Sequence, residues 1–230
     1  ANTIKVLKTD STDWSDNDTT DTNPTSVDTT TYSGKVSLFQ DSTEVYRFSV
    51  PTFGSWNQQA KLQAGDGATS DRFGKAVALS GDYAVVGAYN DTSGAGSAYI
   101  FKKDTGAETW TQQQKLTASD AAASDYFGWK VEISGDIAVI GAYYADPGGV
   151  SGAGAAYVFE RSGTTWTETK KLTASTHATT DGRFGEGLGV SGTTVVAGAG
   201  YEDVDSVTHA GALHVYEKGP AGPNITYDGK

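Results

Sequence analysis

Carboxylates are the residues of this chain whose type and spacing most readily suggest chemistry. Asp66 with Asp71, and Asp120 with Asp125, recur at one register, and a second set of Asp91, Asp146, Asp203 and Asp205 lies in loops of varying length, with Glu202 beside Asp203. A calcium ion needs several hard oxygens converging at about 2.5 Å. Asp66, Asp71, Asp120, Asp125, Asp203 and Asp205 are therefore candidate calcium ligands. The competing reading is that they cap turns through hydrogen bonds to nearby backbone, and residues repeated in step with a fold tend to serve the fold. Aromatics offer a second chemistry. Tyr89, Tyr143, Tyr144 and Tyr201 open the same loops, with Asn90, Asp91, Asp146 and Glu202 close by. Exposed rings with adjacent polar groups suit stacking on a sugar, so these eight residues are the candidate ligand-binding set. The alternative is packing between repeats. Catalysis has weaker support. His177, His209 and His214 all lie late in the chain, no serine sits on a nucleophile elbow, and no glycine-rich loop precedes a helix. In so acidic a chain paired carboxylates carry no information, and the expectation is a protein that is not an enzyme.

Charge and composition exclude other classes. The net charge is −11 over 230 residues and the pI about 4.6. Phosphate backbones and anionic membrane surfaces repel such a chain, which argues against nucleic-acid partners. No apolar run approaches the length of a spanning helix, so no membrane insertion is expected. Cysteine is absent, which removes disulfides and thiolate metal sites. Methionine is also absent and residue 1 is Ala. The expectation is a secreted or cell-surface chain from which a leader has been removed. Sequons at Asn17, Asn90 and Asn224 mean little in a chain rich in Ser and Thr.

What must position the loop residues is a repeat. Trp56, Trp110 and Trp166 each open a copy. Each is followed by Lys-Leu (Lys61-Leu62, Lys115-Leu116, Lys171-Leu172) and Phe-Gly (Phe73-Gly74, Phe127-Gly128, Phe184-Gly185). Then come Ser-Gly (Ser80-Gly81, Ser134-Gly135, Ser191-Gly192), Gly-Ala (Gly87-Ala88, Gly141-Ala142, Gly198-Ala199) and a Gly with a later aromatic (Gly96 and Phe101, Gly154 and Phe159, Gly211 and Tyr216). Within a copy the apolar period is two, and turn residues separate four short strands. Recurrence at this spacing means one cooperative unit built from similar parts. Four antiparallel strands per repeat fit a β-propeller blade. The strand order in each blade would be the Phe-Gly strand, the Gly-Ala strand, the Gly-to-aromatic strand and, outermost, the Trp strand. The three Trp residues are expected to anchor outer strands.

The ends are irregular. Residues 1–32 read as a flexible Asp/Thr-rich segment containing Trp14. Residues 33–230 read as the propeller, with a partial blade at 33–55. One alignment makes Gly34 to Phe39 a third strand and places Tyr46 at the register of Trp166. Another makes Glu44 to Val50 the third strand, before Trp56. The last copy lacks its Trp strand, for which residues 224–230 are a weak substitute. An open ring exposes sheet edges, so the expectation is an all-β propeller of about four blades whose ring closes by mixing N- and C-terminal strands.

Asp71-Arg-Phe-Gly74, Ser80-Gly-Asp-Tyr-Ala-Val-Val-Gly-Ala88, Gly96-Ser-Ala-Tyr-Ile-Phe101 and their counterparts from Asp125 to Ala142 resemble FG-GAP repeats, particularly the bacterial type. Such repeats build the integrin α-chain propeller and many secreted bacterial propellers. The resemblance covers residues 56 to about 218. It implies an extracellular propeller working in adhesion or ligand binding, with no single chemistry. There are departures. Tyr89, Tyr143 and Gly200 replace the proline of Gly-Ala-Pro. The Asp-x-Asp-x-Asp-Gly calcium loop is missing from all three copies, so the family's calcium site does not carry over. His177 stands where Gly67 and Ala121 stand, Thr193 replaces the Asp of Ser-Gly-Asp, and an integrin-like ring has more blades than this chain supplies.

The functional expectation is a non-catalytic adhesion or ligand-binding module, with contacts on the loops at one end and an extracellular protein or glycan as ligand. The alternatives are a structural subunit of an extracellular filament or matrix, completed by strand exchange between copies of itself, and, third, a carbohydrate-active enzyme domain. No cofactor is expected with certainty, and Ca2+ is the candidate.

Overall fold

The computed structural model describes residues 5–6, 34–40, 43–50, 58–174 and 178–219. The chain divides into two units, Ala1–Gln59 and Ala60–Lys230. All named strand pairs are antiparallel, and helix among the described residues is limited to single turns in loops.

The first unit holds one sheet of strands β1 (Lys5–Val6), β2 (Gly34–Gln40) and β3 (Thr43–Val50), in that order. Lys5 and Val6 thus form a strand inside the segment expected to be flexible. Trp14, Trp56 and the remainder of that segment lie outside the described residues, as do His177 and residues 224–230.

The second unit holds three sheets whose strands follow chain order. Sheet A is β4 (Val77–Ser80), β5 (Tyr83–Ala88), β6 (Ser97–Asp104) and β7 (Thr109–Leu116). Sheet B is β8 (Phe127–Ser134), β9 (Ile137–Ala142), β10 (Ala155–Ser162) and β11 (Thr165–Leu172). Sheet C is β12 (Phe184–Ser191), β13 (Thr194–Ala199) and β14 (Ala212–Glu217). This is the expected strand order, with the Trp strand last in sheets A and B and no fourth strand in sheet C among the described residues.

Alternation along the strands puts one face of each sheet against its neighbour. Val85, Ile100 and Leu116 of sheet A pack with Phe127, Val131, Ile133, Tyr157 and Trp166 of sheet B. Val139, Val158 and Leu172 of sheet B pack with Phe184, Val195 and Ala197 of sheet C. Burying each large side chain is worth about 1.5–3 kcal/mol. The Phe of each Phe-Gly lies edge-on to two third-strand rings. Phe127 meets Tyr157 at 5.5 Å and Phe159 at 6.1 Å. Phe73 meets Tyr99 and Phe101, and Phe184 meets His214 and Tyr216, in the same manner.

Neighbouring sheets come together backbone to backbone at the glycines. A Cβ on Gly87 would collide with the carbonyl oxygen of Gly128, and one on Gly141 with that of Gly185. The loop after the Gly-Ala strand then hydrogen-bonds the Phe-Gly turn of the next sheet. Phe127 N donates to Ala95 O at 3.2 Å and Phe184 N to Ala153 O at 2.8 Å. At the opposite end Ser80 Oγ accepts from Gly135 N and Ser134 Oγ from Gly192 N. The recurring motifs are thus the contacts between sheets.

One expectation needs correction. The pairing of β2 with β3 shifts register between Leu38 and Phe39, as third strands do at Ile100/Phe101 and Val158/Phe159. Yet Tyr46 lies opposite Leu38, the position that Lys170 takes opposite Val158, whereas Trp166 lies opposite Arg161. Equal spacing to Tyr46 and Trp166 does not mean equal register, because β2 and β3 turn sooner after the shift than β10 and β11 do. Among the described strands, no sheet mixes the two ends of the chain.

Candidate functional site

The loops after the Gly-Ala strands and the Phe-Gly turns share one end of the second unit. The second of these turns carries two extra aromatics, Tyr126 and Trp129, where the other copies have Arg72 with Lys75 and Arg183 with Glu186. They join the Tyr residues of two loops. Tyr126 stacks on Tyr143 at 5.7 Å and 18°, and Trp129 lies 4.6 Å from Tyr143. Tyr89 meets Trp129 at 4.9 Å and Tyr126 at 5.6 Å, both edge-on. Tyr144 packs against Tyr126 and Tyr143 and remains 38% exposed. The Lys75 ammonium caps the Trp129 ring at 4.4 Å. Burial pushes the Tyr143 phenol up. The result is a five-ring platform with one well-exposed ring.

Three of the four candidate tyrosines therefore converge. Tyr201 does not join them. It lies under the Arg183 guanidinium at 4.2 Å and beside His209 at 5.5 Å. Tyr126 and Trp129 are the site residues that sequence reasoning missed. Their signal was available, since they occupy positions where the copies disagree immediately beside a repeated Phe-Gly.

The candidate metal ligands are held by other partners. Lys115 Nζ lies 2.6 Å from both Asp66 and Asp91. Tyr99 OH donates to Asp66, while Ser97 and Thr92 hydroxyls donate to Asp91. In sheet B, Lys171 Nζ lies 2.6 Å from Asp120, which also accepts from Tyr157 OH. The lysines of two Lys-Leu pairs, Lys115 and Lys171, thus stand where a bound cation would. Lys115 and Tyr99 hydrogen bonds hold Asp66 below the usual carboxylate range. Burial pushes Asp91 and Asp120 up, but the lysine and hydroxyl hydrogen bonds outweigh it and both end below that range. Burial raises the Tyr99 phenol to about 12.

Asp71 and Asp125 are buried turn caps. They accept from Ala68 N at 2.6 Å and Ala122 N at 2.9 Å. Burial pushes Asp125 up, opposed by that backbone donor. Asn90 donates to Ser70 O, and Asp146 accepts from Gly152 N. Glu202 is buried 2.6 Å from His214 Nε2, and His214 occupies the register position of Tyr99 and Tyr157. Asp203 accepts from His209 N, and Asp205 is exposed at positive φ. Among the described residues no group of three or more His, Cys, Asp or Glu side chains converges as a metal site. Among them, too, no helix is long and apolar enough to cross a membrane.

No curated protein matches the chain. The model of the FG-GAP repeat matches it over residues 56–101, 110–159 and 166–216, which is more than half its length. Repeats of this kind occur in adhesion and ligand-binding propeller domains, are typical of extracellular proteins and are generally non-catalytic. The first matched segment covers β4 and β5 and runs into β6, while the second and third each run from the fourth strand of one sheet, β7 or β11, into the third strand of the next, so that each takes in one set of Phe-Gly, Ser-Gly and Gly-Ala contacts, and on that ground the chain belongs to the FG-GAP repeat family.

Proposed function

We propose that this chain is an extracellular, non-catalytic ligand-binding module. Its sheets act as propeller blades. The ligand meets the loop end of the second unit, and the ligand chemistry we favour is a glycan. The observation that carries this reading is the platform of Tyr89, Tyr126, Trp129, Tyr143 and Tyr144. Rings that serve the repeat recur in register, as Phe73, Phe127 and Phe184 do with their third-strand partners. Here the extra rings gather at a single junction, out of step with the repeat, and Tyr144 keeps a free face. Sugar rings bring C–H groups to such faces and hydroxyls to neighbouring polar groups. The exposed Asp146 carboxylate stands in the same loop.

The test is a glycan array with the whole chain, followed by titration of any hit against Tyr144→Ala and Asp146→Asn. Truncating an exposed stacking ring should weaken binding about tenfold or more with the melting temperature unchanged. Binding indifferent to both substitutions, or an array without a hit, would overturn the reading.

A further inference from the structure

Two apolar faces of the second unit are exposed, and they are the two halves of one repeated interface. On the sheet C side, Leu213 and Val215 of β14 are 66% and 61% exposed. Their register counterparts are Ala98 and Ile100 in sheet A and Ala156 and Val158 in sheet B, all buried beneath the following sheet. On the sheet A side, Val77 and Leu79 of β4 are 67% and 66% exposed. Their counterparts Val131 and Ile133 are buried against the preceding sheet. The glycines follow suit. A Cβ on Gly128 or Gly185 would strike the preceding sheet, whereas one on Gly74 would meet nothing.

The outer edge of sheet C tells the same story. Where sheet B has β11, sheet C leaves a groove of about 300 Å³, lined among others by Ile137, Thr169, Lys170, Tyr216 and Lys218. Ile137, Thr169, Lys170 and Lys218 are the repeat counterparts of Tyr83, Gln113, Gln114 and Arg161, the residues that surround Trp166. The groove is the place a Trp strand would take.

We propose that the open face of sheet C receives the open face of sheet A from a second copy of this chain, head to tail. The fit is already present twice in the molecule, between sheets A and B and between sheets B and C. In both cases the stretch just before the incoming sheet, β7 or β11, supplies the Trp strand of the preceding one. Before sheet A that stretch runs from Trp56 to Lys61-Leu62, with the same residue types at the same spacing. Such an interface is heterologous, since the two copies use different faces. It involves neither the aromatic platform nor the loop ligands, so its failure leaves the proposed function standing.

The experiment is sedimentation of the whole chain over a wide concentration range, with two variants checked for native circular dichroism. Val215→Asp disables the sheet C face and Leu79→Asp the sheet A face. Both positions are exposed, so folding is retained. The wild type should associate with rising concentration. Each variant alone should lose about a hundredfold or more in association constant, because docking would bury an unpaired carboxylate. A mixture of the two should form a one-to-one dimer, since each keeps the face the other has lost. A wild type that stays monomeric at all concentrations overturns the proposal, including the case in which the faces are covered from within the chain. Self-association that survives in either variant overturns it too, because that marks an interface between like faces.

Discussion

Lys115 answers two carboxylates, Asp66 and Asp91, with one ammonium group. Both carboxylates are held below their usual pKa, so each contributes stability that is present above about pH 4 and lost as the pH falls through its lowered folded value. Lys115→Met should cost on the order of 1–3 kcal/mol at pH 7, mostly from stranding buried Asp91, and should flatten the loss of stability on acidification. Thermal unfolding of both proteins at pH 7 and pH 3 checks this. The same geometry predicts that the melting temperature at neutral pH is equal in calcium and in a chelator, because the ammonium occupies the cation position. A second pair isolates backbone approach. Gly74 and Gly128 share the Phe-Gly motif and φ near +90°, which disfavours any side chain. Gly74→Ala should cost about 1 kcal/mol of strain. Gly128→Ala adds a collision with Ser97 O and should cost several-fold more or abolish folding, as urea unfolding would show. Neither the lysine's role nor the aromatic platform could be read from residue types alone. Aspartates in register look alike whether a metal, a lysine or a backbone N–H faces them. Tyr126 and Trp129 acquire meaning only when two loops and a turn meet.

Strands were the most legible level, because period-two alternation and the Ser-Gly and Gly-Ala punctuation set pairing and order directly. The Trp strand shows how far that goes. Trp166 N donates to Gln114 Oε1 and Trp166 O accepts from Gln114 Nε2, so β11 is fastened to sheet A by one amide side chain. The ring is 2% exposed and meets Tyr83 edge-on at 5.9 Å. Trp110, in register, is only half-buried on the outer side of sheet A. The repeat made them equal, and the sheet A residues around Trp166 make them unequal. Trp166→Ala should cost about 3–5 kcal/mol, a fully buried loss, and Trp110→Ala clearly less. Native-state hydrogen exchange should rank the strands the same way. Amides of β9 and β10 lie in a sheet packed on both faces and should exchange slowest, while β14, exposed at Leu213 and Val215, should exchange faster.

Across the whole molecule the charge opposes the assembly that the exposed faces favour. Each copy carries a formal charge of −11, so two copies repel at long range. The four side chains that would meet, Val77, Leu79, Leu213 and Val215, are uncharged, so salt has no ion pair among them to weaken. Added salt shortens the screening length from about 30 Å at 0.01 M to about 8 Å at physiological strength. Head-to-tail association should therefore strengthen as sodium chloride is raised over that range, with an accelerated on-rate and a nearly constant off-rate. An interface built from surface ion pairs would show the opposite trend. Sedimentation at low and physiological salt separates the two, and weakening by salt would refute an apolar docking face.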